Sequence, residues 1–224
     1  MRLPVISSME DMTRLVDELG FLPFLKGDVP GFSIAEAVRP DLWFSETQEG
    51  PWEWKGPVIR ATGCAYGKFY RGKAMYVSRE FFPDFANLRR DGYDYDARVD
   101  DGLARHRDAR IMELLTERPS LVSRELKALA CAGEESRKQF DGCLSFLQMQ
   151  CYVCIADFEY ALDRYGRPYG WGLARYATPE HLFGEDFSAH VYEREPAESR
   201  ERLRRHLKSI LPDASEGQIA RILE

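Results

Sequence analysis

The chain has 224 residues, of which 44% are hydrophobic and 30% are charged, with a formal net charge of −6. This length suits one large domain or two small ones, and no apolar run approaches the roughly 18–20 residues of a membrane span. The net charge excludes a uniformly basic surface but leaves room for a local one, because residues 51–90 hold eight basic and three acidic residues. The first residues lack the apolar segment and cleavage site of a signal peptide, so we expect a cytoplasmic protein.

The first half of the chain predicts a mixture of helices and strands. Helical spacing over residues 9–19 ends at Gly20, a residue type that commonly terminates helices. Residues 50–77 are interpreted as two or three strands, including residues 58–60, with a tight turn at Gly72. A helix is predicted to follow over residues 79–88.

The stretch 120–179 is the most informative part of the sequence. It predicts helices over residues 123–130 and 135–146, followed by an alternating strand that begins at residues 147–150. A polar turn at 163–168 then returns the chain through a second strand. Helix, helix, strand, turn, strand is the order of a winged helix, whose usual partner is DNA.

These patterns predict an α+β protein in three parts. An N-terminal α+β half with an aromatic-rich hairpin covers residues 1–95, and a winged-helix domain with a β-hairpin wing covers residues 96–184. Residues 185–224 form a C-terminal helical tail of two amphipathic helices separated near Pro212.

Five cysteines without secretory context are expected to be reduced thiols. Cys151 and Cys154 have the spacing of a redox or zinc motif, but we place both in one strand, where residues three apart point to opposite faces. Packing is therefore the preferred role. The four histidines are scattered without ligand spacing, so we predict no metal and no cofactor.

Basic and hydroxyl side chains near the predicted winged helix are candidate DNA contacts, although a solvated helix face explains them equally well. They lie at the start of the second helix, in the wing turn and in the basic segment: Ser136, Arg137, Lys138, Arg164, Arg167, Lys68, Arg89 and Arg90.

Gln148 and Gln150 lie two apart on a segment predicted to be extended, so both side chains would project from one face. Paired amides are poor general bases, but they can orient a water molecule and stabilise developing charge. The alternative interpretation is ordinary polar surface at a strand edge. Asp157 falls on the opposite face of an ideal strand.

Aromatic and basic residues alternate between residues 52 and 76. Such a pattern suits stacking and clamping of nucleotides, or else an aromatic core with a basic exterior. The residues are Trp52, Trp54, Tyr66, Phe69, Tyr70 and Tyr76, interleaved with Lys55, Lys68, Arg71 and Lys73.

Several strings resemble the AlkZ-related proteins, which are akin to the winged-helix DNA glycosylases of the AlkZ/YcaQ type. Among them are Gly50-Pro51-Trp52-Glu53-Trp54, Asn87-Leu88-Arg89-Arg90-Asp91, Phe146-Leu147-Gln148-Met149-Gln150 and Tyr169-Gly170-Trp171, and together the strings are fairly specific. The resemblance implies that DNA is the partner, with alkylated duplex as one candidate.

The active glycosylases use a Gln-apolar-Gln motif to position the water that displaces an alkylated base. Gln148-Met149-Gln150 matches that pattern, so the resemblance implies a catalytic role for Gln148 and Gln150. The chain is well short of the tandem winged helices and β-barrel of those enzymes. Two versions therefore stay open: a DNA glycosylase acting on alkylated bases, or a non-catalytic transcriptional regulator or protein-interaction module.

Overall fold

Two small antiparallel sheets and the helices around them make up a mixed α+β fold. The structure is a computed structural model that describes residues 3–45, 47–131, 134–166 and 168–224. Side chains are described throughout these ranges except at 106–107, 134–138 and 168–169.

The N-terminal sheet is formed by β1 (Phe21–Pro23), β2 (Ala65–Tyr70) and β3 (Lys73–Val77), in the order β1-β3-β2. Its helices are α1 (Met9–Leu19), α2 (Ile34–Ala37), α3 (Pro51–Thr62) and α4 (Phe82–Arg90), with a 3-10 turn at Pro40–Leu42. The predicted helix over 9–19 and its end at Gly20, where φ is 70°, are confirmed. The hairpin of β2 and β3 around Gly72 is confirmed as well.

The strand predicted at residues 58–60 is wrong, because these residues lie in α3. Pro51 occupies the first turn of this helix, and the Glu53 carboxylate accepts a hydrogen bond from the Gly50 N–H at 2.9 Å. Proline at a helix start and a carboxylate three residues after the cap both favour a helix. Glycine and proline there are therefore helix-start residues and not turn residues.

The second sheet follows a run of helices. The elements are α5 (Tyr95–Asp100), α6 (His106–Glu117), β4 (Leu121–Val122), α7 (Ser123–Ala130), α8 (Glu134–Met149), β5 (Cys154–Leu162) and β6 (Pro168–Ala177). The sheet order is β4-β6-β5, and β5 pairs with β6 antiparallel from Cys154↔Ala177 to Leu162↔Pro168. The predicted hairpin is confirmed, but α8 continues to Met149, so the strand predicted to open at residue 147 is wrong.

The C-terminal part is helical, with α9 (Pro179–Phe183), α10 (Glu185–His190), α11 (Pro196–Ile210) and α12 (Glu216–Leu223). The two predicted tail helices are α11 and α12. The Ser215 hydroxyl caps α12 by accepting a hydrogen bond from the Gln218 N–H at 3.2 Å. Leu203, Leu207 and Ile222 are completely buried.

One hydrophobic core runs through all three predicted parts of the chain. It includes Phe21 and Met75 of the N-terminal sheet, Val153 next to the second sheet, and Leu203 of α11. The division of the chain at residues 95 and 184 therefore stays a prediction, and the hydrophobic core is continuous across both boundaries.

The cysteines are all free, and Cys151 adopts a left-handed conformation after α8 instead of the predicted strand. Within the described ranges, no three histidine, cysteine or acidic side chains are grouped so that they could hold a metal ion. None of the described helices is long and apolar enough to cross a membrane.

Candidate nucleic-acid interface

Gln148 is completely buried in the last turn of α8. Its Oε1 accepts a hydrogen bond from the Lys68 backbone N–H at 3.1 Å, and its Nε2 donates to the Leu144 carbonyl at 3.2 Å. The amide thus joins α8 to β2 across the core. Gln150 follows the helix and is half-buried.

The predicted arrangement of the two glutamines on one face of a strand is wrong. Phe140, Leu144 and Leu147 are buried at helical spacing, and the same spacing brings Gln148 inward. Since Gln148 is buried in the last turn of α8 and Gln150 lies beyond the end of that helix, the two do not present a pair of amides to solvent.

Arg89 was predicted as a DNA contact, but it is 7% exposed and binds backbone carbonyls of three separate segments. Its guanidinium donates to the Phe69 carbonyl at 2.8 Å, to the Met149 carbonyl at 3.3 Å and to the main-chain oxygen of Glu224. Five donors in one planar group let arginine satisfy several carbonyls at once. Arg89 therefore connects β2, the end of α8 and the C-terminal helix in the interior.

Arg90 is buried as well, so the prediction that it contacts DNA is also wrong. It donates to the Glu180 carboxylate and the Tyr192 hydroxyl, both at 2.9 Å, and to the Cys151 carbonyl at 2.8 Å. Burial by itself would lower the pKa of Arg90, but Glu180 and Tyr192 outweigh it and raise the pKa. Its charge is held inside the protein, out of reach of a phosphate.

Among the other predicted contacts, Lys68 is half-buried and donates from Nζ to the Ser145 hydroxyl at 3.0 Å, so it braces α8. Arg164 is exposed in the hairpin turn, with its guanidinium 4.6 Å from the Tyr165 ring centroid. The predictions for Ser136, Arg137, Lys138 and Arg167 lie outside the residues whose side chains are described.

Several of the described charges around α7, α8 and the hairpin form ion pairs. Lys127 contacts Asp141 at 3.0 Å, and Arg175 contacts Glu159 at 2.6 Å. Arg60 of α3 contacts Asp157 of β5, which attaches the hairpin to the N-terminal half. These ion pairs neutralise Lys127, Arg175 and Arg60.

Most of the aromatic residues between 52 and 76 belong to the core, in agreement with the interpretation of this segment as an aromatic core with a basic exterior. Trp54, Tyr66, Phe69, Tyr70 and Tyr76 are each at most 5% exposed. Their rings are covered, so they offer no surface on which a base could stack. Trp52 is the exception, since it is half-buried.

A tryptophan cluster that the sequence did not predict lies between α3 and the hairpin. It consists of Trp43, Trp52 and Trp171, with ring centroids 5.7 Å apart for Trp43–Trp52 and 6.0 Å apart for Trp52–Trp171. Phe24 lies beneath Trp52 at 5.2 Å. Trp171 is 73% exposed, and no spacing in the sequence indicates that these three tryptophans meet.

Lys55 lies beside this cluster, one turn after Trp52 on α3. Its Nζ is 4.2 Å from the ring centroid of Phe158 and 4.9 Å from that of Trp52. Burial lowers the pKa of Lys55 to about 8, although nearby Glu53 acts in the opposite direction. Across the described part of the chain, no carboxylate forms an ion pair with it.

Comparison with known proteins places the chain in a family. A family model described as AlkZ related matches residues 6–224. Searches of curated proteins and of solved structures found no match. Because the family model covers nearly all 224 residues, the chain belongs to the AlkZ-related family.

Proposed function

We propose that the protein binds DNA through a winged helix formed by α6, β4, α7, α8, β5 and β6. The observation that carries this proposal is the element order: three helices with a short strand after the first, then a hairpin that completes a sheet in the order β4-β6-β5. In this proposal α8 is the recognition helix and the turn between β5 and β6 is the tip of the wing. Membership of the AlkZ-related family supports DNA as the partner.

The proposed contact face combines the first turn of α8 with the wing tip. Ser136, Arg137 and Lys138 belong to the start of α8, and Arg164 lies at the tip, while Arg167 is kept as a prediction from the sequence. Paired charges on the same face, such as Lys127 with Asp141, reduce its positive potential. Because duplex affinity depends on neutralised phosphates, we expect modest affinity that falls steeply with added salt.

We further propose that Gln148 holds α8 against β2 and does not position a water molecule. Its complete burial and its two hydrogen bonds to protein support this role. Of the two functions considered, the geometry therefore best supports a protein that binds DNA and does not use the two glutamines for hydrolysis. Alkylated duplex remains the preferred candidate ligand because of the family.

Fluorescence anisotropy with a labelled duplex, with and without N7-alkylguanine, tests the proposal over a series of salt concentrations. Removing two proposed phosphate contacts in Arg137→Ala/Lys138→Ala should weaken binding by about tenfold at low salt. The same change should make the slope of log K against log salt shallower by about 2. Arg164→Ala should act in the same direction with a smaller effect.

The matched control is Arg200→Ala/Arg205→Ala, which removes two exposed arginines from α11 and changes the net charge equally. It should bind like wild type. Equal weakening in both double variants would contradict the proposed face, and absence of binding at low salt would favour a protein-interaction module. Base release that depends on Gln150 would contradict the role assigned to the glutamines.

A further inference from the structure

The turn between β2 and β3 contains an arginine in a backbone conformation that long side chains rarely adopt. Tyr70 pairs with Lys73, so Arg71 and Gly72 alone form the loop. Their φ angles are 51° and 77°, and two-residue loops with two positive φ angles favour asparagine or aspartate before the glycine. The backbone therefore gives no reason for arginine at residue 71. Strained positions of this kind concentrate at functional sites.

A cavity of about 340 Å³ lies beside this loop, and we call it the turn cavity. Its wall is held in place by close packing, because a Cβ on Gly27 would lie 2.1 Å from the Tyr70 ring. The Lys73 Nζ donates a hydrogen bond to the Lys26 carbonyl at 2.8 Å, which joins β3 to the same segment. The residues that line the turn cavity are Gly27, Asp28, Tyr70, Arg71 and Lys73.

Positive charge exceeds negative charge around the turn cavity. Arg71 and Arg221 of α12 contact one carboxylate, that of Asp28, at 3.3 Å and 3.4 Å. Neither arginine contacts another carboxylate in the described part of the chain, and Lys73 has none there. The Tyr70 hydroxyl and the two arginines lower the pKa of Asp28, so its carboxylate is charged at neutral pH. Three cations and one carboxylate leave an excess of two positive charges.

The cations also keep hydrogen-bond donors for a further acceptor. A guanidinium has five N–H donors and an ammonium has three. Among the described residues, Arg71 uses one donor on Asp28 and Lys73 uses one on the Lys26 carbonyl. Asp28 already accepts a hydrogen bond from the Tyr70 hydroxyl at 2.8 Å, so it cannot neutralise both remaining charges. A doubly charged anion with several oxygens matches this excess.

We propose that the turn cavity binds the phosphate group of a phosphate ester. Arg71 and Lys73 hold the phosphate oxygens, and Arg221 adds positive charge from α12. The site is separate from the proposed DNA-contact face, because none of these residues belongs to α8 or to the wing. A free phosphomonoester and a backbone phosphate of DNA present the same chemistry, and the experiment distinguishes them.

A titration of the ¹⁵N-labelled protein with adenosine 5′-monophosphate at constant ionic strength tests the proposal without DNA. The amide signals of Gly27 and Gly72 should shift along a saturable curve. Adenosine, which lacks the phosphate, should not shift them. Equal shifts with adenosine, or shifts of neither amide with the nucleotide and no effect of the cavity variants on duplex binding, would overturn the proposal.

The double variant Arg71→Asn/Lys73→Gln removes both proposed phosphate contacts and should weaken nucleotide binding by at least about tenfold. The matched control is Arg200→Gln/Arg205→Gln, which removes the same charge from exposed positions of α11 and should bind like wild type. Equal weakening in the two double variants would mean that only net charge matters, and would overturn the site.

Thermal denaturation of Arg71→Asn separates binding from folding. Asparagine tolerates a positive φ and forms the favoured pair with Gly72, so the midpoint of unfolding should stay equal or rise while binding is lost. A lower midpoint with unchanged binding would make Arg71 a structural residue and overturn the proposal.

Duplex anisotropy with the same cavity variants identifies the source of the phosphate. Loss of nucleotide binding with unchanged duplex affinity supports a free phosphomonoester as the ligand. Weaker duplex binding in Arg71→Asn/Lys73→Gln, but not in the α11 control, supports a backbone phosphate. If the protein binds no duplex at all, the nucleotide titration still decides this site, so failure of the proposed DNA binding is distinguished from failure of the turn cavity.

Discussion

At the scale of single residues, polar side chains inside this protein join segments that are distant in sequence. Arg89 binds carbonyls of β2, of α8 and of the C-terminal segment, and Arg90 binds Glu180, Tyr192 and the Cys151 carbonyl. Gln148 joins α8 to β2. Buried polar groups must be paired within the protein because water cannot reach them, so each of these side chains determines which segments meet.

Gln148→Ala should lower the free energy of unfolding by about 1–3 kcal/mol, because it leaves the Lys68 N–H without its acceptor in the interior. Gln150→Ala, at a half-buried position, should change it by no more than about 0.5 kcal/mol. Urea denaturation of both variants measures the difference. Equal, small effects would mean that the amide of Gln148 does not contribute to packing.

At the scale of elements, local signals decided most helix ends, whereas close packing decided where α3 begins. A Cβ atom placed on Gly50 would lie 1.9 Å from the Leu42 carbonyl oxygen. The start of α3 therefore requires glycine, since only a residue without a side chain lets the 3-10 turn approach so closely. Trp52 and Lys55 follow directly on this helix, so its placement sets the position of both side chains.

Gly50→Ala should destabilise the protein by about 1–3 kcal/mol, because the added methyl group forces α3 away from the Leu42 carbonyl. Gly142→Ala is the matched control: a Cβ there meets no atom within 4 Å. Because Gly142 lies in the exposed interior of α8, alanine should stabilise the helix by about 0.5–1 kcal/mol. Thermal denaturation should show changes of opposite sign, and a stable Gly50→Ala variant would refute the close approach.

At the scale of the whole molecule, a single core extends from the N-terminal sheet to the C-terminal helices. Helix α11 packs on α4, and α8 packs on β2. The winged helix that we propose is therefore one face of a larger unit. Its hairpin is attached to α3 by the Arg60–Asp157 ion pair and by the contact of Trp171 with Trp52.

Unfolding in urea should consequently follow one cooperative transition. Tryptophan fluorescence reports on all four tryptophans, Trp43, Trp52, Trp54 and Trp171, while far-ultraviolet circular dichroism reports on the helices. The two curves should coincide, as expected for segments that share a core. Two separate transitions would show that residues 1–95 and 96–184 fold as independent domains.

Much of the architecture can be predicted from local sequence, because caps, turn residues and hydrophobic periodicity act over a few residues. The end of α1 at Gly20, the hairpin of β5 and β6 and the two tail helices all follow from such signals. The family, too, is carried by short strings that can be read without a structure. An element was predicted wrongly where a residue type occurs both in turns and at helix starts, as glycine and proline do at Gly50 and Pro51 before α3.

The candidate site depended on tertiary contacts that no local pattern contains. Arg89, Arg90 and Gln148 have the sequence appearance of surface residues, yet they are buried because carbonyls, an N–H and a carboxylate from distant segments surround them. Lys55 acquires its aromatic surroundings from Phe24 and Phe158, which flank it in space while lying far away along the chain. The sequence alone determined most of the elements and the family, whereas folding decided which charges are buried, since burial depends on what packs against a side chain.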